Sequence, residues 1–201
     1  MTLQDEIRAF MPRCEQEALD RAQMLRFMAD HEDYLERGNL VAHMTTSIWT
    51  VNRARTKTLM VYHNIYDSWS WVGGHADGCP DLRSVALREL REETGVTSGR
   101  LVGDEILSLE TLTVDGHIRR GTYVPSHLHF NVTFLAEADE EEPLTANADE
   151  NQAVRWWTFD DALRVSSEPW MVEHVYRKLV ERSRHIEQFN PDSDTEGEAR
   201  K

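Results

Sequence analysis

The segment from Asp81 to Gly95 constrains this chain most, because it predicts a helix whose apolar face carries acids. Leu82, Val85, Ala86 and Leu90 recur at helical spacing. With Leu82 at zero, an advance of about 100° per residue puts Glu89 and Glu93 within about 20° of it. Glu92 lies at the edge of that face, and Arg88 and Arg91 lie on the far side. Asp81 has the chemistry of an N-cap, and Gly95 reads as the stop. Carboxylates aimed at a core cost several kcal/mol unless something neutralises them. Neither arginine of the helix is placed to pair with both central acids. A divalent cation is the simplest remedy, and carboxylate oxygens suit Mg²⁺, Mn²⁺ or Ca²⁺ rather than zinc. The competing reading is that the acids reach solvent at the helix end or pair with arginines elsewhere.

The rest of the chain gives this helix a setting. Thr2 to Gly38 reads as helical, with Leu3, Ile7, Phe10 and Met11 in one stripe and Ala18, Ala22, Leu25 and Met28 in another. We expect an N-terminal helical extension (residues 1–38) capping the main domain, with a dimer contact as the rival role. The pattern then changes to strands at Val41–Val51, Lys57–His63 and Ser68–Val72, the first two forming a hairpin. Gly73–Pro80 reads as a loop. Further strands are expected at Leu107–Val114, His127–Ala136 and Ala153–Phe159, and a last helix at Glu168–Arg184. The polar tail at 188–201 reads as disordered. Without regular βαβ alternation, the expected class is α+β: an α/β/α sandwich with a mixed sheet between helices.

The chain has 201 residues and a formal net charge of −14. Such a charge repels nucleic-acid polymers but leaves room for a small anion met through a bound cation. Cys14 and Cys79 are too few for a disulfide framework. No apolar run approaches a membrane span, so a cytoplasmic protein is expected.

Gly74, Arg88, Glu89, Leu90, Glu92, Glu93, Gly95 and Val96 fill every fixed position but one of the pattern G-x5-E-x7-R-E-U-x-E-E-x-G-U, where U is bulky and apolar. In this the chain resembles the Nudix hydrolases, over about Val41 to Val165. The exception is Pro80, which stands at the first glutamate of the pattern between Asp77 and Asp81. The resemblance implies a Mg²⁺- or Mn²⁺-dependent enzyme that cleaves a diphosphate bond in a small nucleoside-diphosphate-linked substrate, over a domain at 39–187. It implies that Glu89, Glu92 and Glu93 hold metal with the Gly74 carbonyl, and that Arg88 orients the glutamates. Asp77 is the candidate to supply the support lost at Pro80, Asp81 being spent on capping. A further acid from a later loop is expected to hold metal or activate water. Glu150 is the candidate, and Asp149 its rival. The chemistry is displacement at phosphorus without a covalent intermediate.

Among the remaining residues, His127 and His129 alternate with apolar neighbours and share one strand face with Asn131 and Thr133. That face is a candidate lining for the substrate cleft, or a structurally hydrogen-bonded surface. His75, beside Gly74, is a candidate phosphate contact. Trp69, Trp71, Trp156 and Trp157 suit packing better than base stacking. Two alternatives share the fold. One is isopentenyl-diphosphate isomerase, which needs a protonating cysteine and glutamate and a histidine-rich metal site. The other is a non-catalytic nucleotide-sugar sensor. Neither a proline nor a tyrosine stands at Thr111–Val114, so the family's markers for ADP-ribose and dinucleoside polyphosphates are absent.

Overall fold

The computed structural model describes residues 1–119 and 121–185. The expected disordered tail at 188–201 lies outside the described residues. The centre is the parallel pair of β1 (Ala42–Asn52) and β9 (His127–Ala138), in register from Ala42 opposite Leu128 to Asn52 opposite Ala138. β2 (Lys57–His63) pairs antiparallel with β1, and β10 (Asn151–Thr158) with β2. β3 (Ser68–Ser70) adds to β2, β4 (Val72–His75) to β1, and both β5 (Arg100–Leu101) and β6 (Ser108–Val114) to β9. A separate hairpin joins β7 (His117–Arg119) to β8 (Thr122–Val124). The sheet is mixed, as expected.

Alternation along the strands gives the sheet two cores. Met44 and Ile48 of β1 join Phe130, Val132 and Phe134 of β9 in the first. That core also takes Leu82, Ala86 and Leu90 of α3 (Leu82–Thr94), Leu3 and Ile7 of α1 (Leu3–Ala9), and Met24 and Met28 of α2 (Glu15–Asp30). Trp49 and Val51 of β1 face the second, with Leu135 and the C-terminal helices. Four buried apolar residues of the N-terminal helices are thus spent on this chain's own core. Met11, expected in the stripe, is 77% exposed.

Where the structure differs from the reading of the sequence, pairing or capping decides. Gly73 and Gly74, expected in a loop, are held in β4 opposite Ser47 and Thr46. The helix α4 (Phe159–Val165) was unexpected; Thr158 starts it by accepting from the Asp161 amide at 3.1 Å. The single C-terminal helix is instead α5 (Pro169–Met171), a π-turn over Val172–Tyr176 and α6 (Arg177–His185). The wider turn holds Val172, Val175 and Tyr176 in the same core as Leu179 and Val180.

Beside the second core runs a seam of buried polar groups. Glu17, at the start of α2, receives Arg182 Nη2 of α6 at 2.9 Å, Ser108 Oγ at 3.0 Å and the Arg13 amide at 2.9 Å. Lys178 Nζ stands 3.0 Å from Glu110, which also accepts from Asn131 and Thr133. The seam ties α2 to α6 across the edge at β6.

Candidate active site

α3 begins and ends as its sequence demands. The Asp81 side chain accepts from the Ser84 amide, and Gly95 closes the helix at a φ of 76°. Its apolar side then turns Glu89 and Glu93 toward β4. A Cβ on Gly74 would lie 2.5 Å from Glu89 Cδ, and one on Gly73 would lie 2.6 Å from the Thr46 carbonyl oxygen. Glycine at 74 lets the backbone run against the carboxylate, and glycine at 73 lets it run close to β1.

Glu93 is only 3% exposed. Its carboxylate accepts from the Gly73 amide at 3.2 Å and from Asn151 Nδ2 at 2.7 Å. No cation among the described residues pairs with it. Burial pushes its carboxyl up to about 8 against the two hydrogen bonds, and the charges of Glu89 and Glu150 add to the rise. Burial raises Glu89 as well. Arg88, bonded to it at 2.9 Å, opposes that rise, and Glu92 and Glu150 reinforce it. Arg88 was expected on the far side of the helix, yet its long side chain folds back to Glu89 and lies 3.9 Å from Glu92. Glu92 itself is exposed, at the rim.

The acidic loop is docked on the end of α3. The Thr145 amide donates to the Thr94 carbonyl at 2.8 Å, and the Asn147 amide to that of Glu93 at 3.3 Å. This brings the exposed Glu150 within electrostatic reach of both Glu89 and Glu93. Glu89 and Glu93 therefore lie against β4, with Glu92 exposed beside them and Glu150 within electrostatic reach. The donors are all oxygen, Gly74 has no side chain in the way, and the charged form of Glu93 lacks compensation. The residues present fit a hard divalent cation.

Asp77, the candidate support, is paired with Arg37. It sits at a φ of 46°, and Arg37 grips its carboxylate with Nε and Nη2. Cys79 Sγ lies against the Asp81 carbonyl and Ser84 Oγ.

The histidines divide. His127 and His129 do share a face, with Nε2 atoms 3.2 Å apart. Burial, and then His75, His43 and His127, push His129 down to about 2. A neutral imidazole offers ring nitrogens for hydrogen bonding but no positive charge. Further along the same face, Asn131 and Thr133 were candidates either to line a cleft or to form a structurally hydrogen-bonded surface. They are 1% and 0% exposed and bonded to Glu110, so this half of the face is interior.

Two site residues escaped the reading of the sequence. Asn151 seemed to belong to the loop before the last strand, yet it opens β10 and holds Glu93. His43 was not weighed, although His43, Thr45 and Ser47 repeat the polar alternation of His127, His129, Asn131 and Thr133. That shared pattern was the available signal that β1 and β9 lie side by side.

A NUDIX domain family model matches residues 41–182. The curated Arabidopsis thaliana protein Nudix hydrolase 27, chloroplastic, is 51% identical over 41 residues. That stretch is 20% of this chain and 18% of the relative, so the match spans under a fifth of the relative's length. Among solved structures, the M. smegmatis Nudix hydrolase RenU has a TM-score of 0.53 at 14% identity, with 73% of this chain and 88% of that one covered. The E. coli dihydroneopterin triphosphate pyrophosphohydrolase also has a TM-score of 0.53, at 16% identity, with 68% and 94% covered. These structural likenesses show the fold. The family model extends over most of the chain, takes in the glutamates gathered against Gly74, and establishes that the chain belongs to the Nudix family.

Proposed function

We propose that this chain hydrolyses a diphosphate bond in a small nucleoside-diphosphate-linked substrate, with water attacking phosphorus. The observation that carries the reading is Glu93: a buried carboxylate with no cationic partner among the described residues, within electrostatic reach of Glu150 and of Glu89, which packs on Gly74. Nothing in folding favours such a cluster, whereas catalysis at a polyanion does.

Each residue has a task in this scheme. Glu89, Glu92, Glu93 and the Gly74 carbonyl hold Mg²⁺ or Mn²⁺. When bound, the ion neutralises the diphosphate and acidifies water. Arg88 orients Glu89 and Glu92. Asn151 fixes the Glu93 carboxylate by one oxygen and the Gly73 amide fixes it by the other. Glu150, exposed at the mouth, takes the proton from the attacking water. His75, next to Gly74, and His127, at the start of β9, are both half-buried and border the substrate. The hydrolase domain is 39–187, and the helices of 1–38 complete its first core.

The isomerase alternative requires a thiol at the reacting centre. The Cys79 thiol is turned to Asp81 and Ser84, not to Glu93. No helix among the described residues is long and apolar enough to cross a membrane, and the cytoplasmic location and small-molecule partner belong to the proposal. A panel of nucleoside triphosphates, nucleotide sugars, dinucleoside polyphosphates and coenzyme A, each with Mg²⁺ or Mn²⁺, tests it by phosphate release. Turnover should vanish with EDTA and return with either ion. Full activity in metal-free buffer, or no turnover across the panel, would remove the proposal.

A further inference from the structure

His43, His75 and His129 meet on one face of the sheet, and each offers a ring nitrogen within 4.8 Å of the others. The strands dictate the meeting. His43 of β1 stands opposite His129 of β9, and His75 of β4 stands opposite Thr45, two residues further along β1. The His43 ring centre is 5.2 Å from that of His75 and 4.9 Å from those of His127 and His129.

The hydrogen bonds around the group leave lone pairs pointing inward. His43 Nδ1 donates to the Asn39 carbonyl at 3.0 Å, which fixes the tautomer and leaves Nε2 bare. That Nε2 is buried without a partner, and His43 is only 3% exposed. His127 Nδ1 likewise donates to the Pro125 carbonyl at 2.8 Å, so its Nε2 is the acceptor in the 3.2 Å contact with His129 Nε2. A backbone carbonyl behind a ring nitrogen is the support that orients a metal-bound imidazole. Solvent-bonded histidines would need neither the burial nor the orphaned nitrogen.

We propose that His43, His75 and His129 bind a divalent transition metal of the zinc class, at a site separate from the carboxylates of α3. His127 closes the remaining position directly or through water. Three imidazoles suit Zn²⁺, Co²⁺ or Ni²⁺, whereas the all-oxygen set beside Gly74 suits Mg²⁺.

Co²⁺ reports on the site by its spectrum. The full chain, stripped of metal, should bind one Co²⁺ at the histidines with the intense visible absorption of a nitrogen-liganded, low-coordinate ion. Zn²⁺ should displace it. His75 is half-buried, so His75→Gln should fold with the parent's melting temperature and lose Co²⁺ affinity by about 100-fold or more, beyond the usual loss for removing an outer partner. His129→Asn should behave alike. Glu93→Gln should keep the band, which separates this site from the carboxylates whatever the outcome of the hydrolysis assay. No such band in the parent overturns the proposal, however the variants fold. So does a band that survives His75→Gln and disappears in Glu93→Gln.

Discussion

Glu17 and Glu93 are both withdrawn from water, at 0% and 3% exposure, but their surroundings answer them in opposite ways. Glu17 meets a guanidinium, a hydroxyl and a backbone amide, with Lys178 Nζ at 3.3 Å. Burial alone would raise its pKa. Arg182, the Arg13 amide and Lys178 outweigh that and bring it to about 2. Glu93 meets an amide side chain, a backbone amide and two more acids, and is pushed the other way. The first carboxylate is satisfied as folded and joins α2 to α6. The second is held in place by hydrogen bonds but is not neutralised by any cation among the described residues. A buried acid is therefore read by what faces it, and burial alone does not separate a structural site from a functional one.

The largest effect should come from spoiling the satisfied acid. Arg182→Ala leaves Glu17 buried without its bidentate partner and should cost about 3–5 kcal/mol of stability. Denaturant titration measures it. A cost no greater than that of a surface pair would erase the contrast with Glu93.

Glu93→Gln should do the reverse. The shape is kept and one unpaired charge goes, so the metal-free protein should be no less stable than the parent. Activity should fall by about 100- to 1000-fold, the scale of losing one electrostatic contact made in the transition state. Mg²⁺ should also raise the melting temperature less than in the parent. A variant that unfolds easily but turns over normally would make Glu93 a structural residue.

The pH dependence should separate the two acids by sign. The folded pKa of Glu93 lies above its ordinary 4.5, at about 8. Between those values the folded state binds more protons than the unfolded one, so metal-free stability falls as pH rises. Glu17 lies below its ordinary value, so its contribution is present above 4.5 and is lost as pH falls toward 2. Melts of the metal-free protein should thus lose stability from pH 4.5 to 8, and Glu93→Gln should flatten that decline. An unchanged slope in the variant would assign it to other groups.

Asp77 should matter least. Its pair with Arg37 is about two-fifths exposed on both sides, and such pairs contribute about 0–1 kcal/mol. Asp77→Asn should shift stability within that range and leave turnover within threefold. A large loss of activity would return Asp77 to the support of the metal site.

The helix of Leu82–Thr94 was legible from its residues alone, because caps and periodicity are local properties. Its inward acids followed from the same geometry. The strands of β1, β2, β6 and β9 were legible for the same reason: alternation is written in neighbouring residues. The π-turn at Val172–Tyr176 was not, since it answers to the core it packs on. Nor was Gly73–His75 as a strand, because only the pairing with β1 makes it one.

By itself the sequence determined the helix of Leu82–Thr94, its caps, and that Glu89 and Glu93 face inward from it as oxygen donors. Only the tertiary structure decided what surrounds them. It brought Asn151 from the far side of the chain to Glu93, folded Arg88 back to Glu89, and took Asp77 away to Arg37. It also placed His43 among three other histidines. Apart from the neighbours Arg88 and Glu89, these are contacts between residues distant in sequence. Their partners are set by strand register and helix docking, which spacing along one segment does not encode.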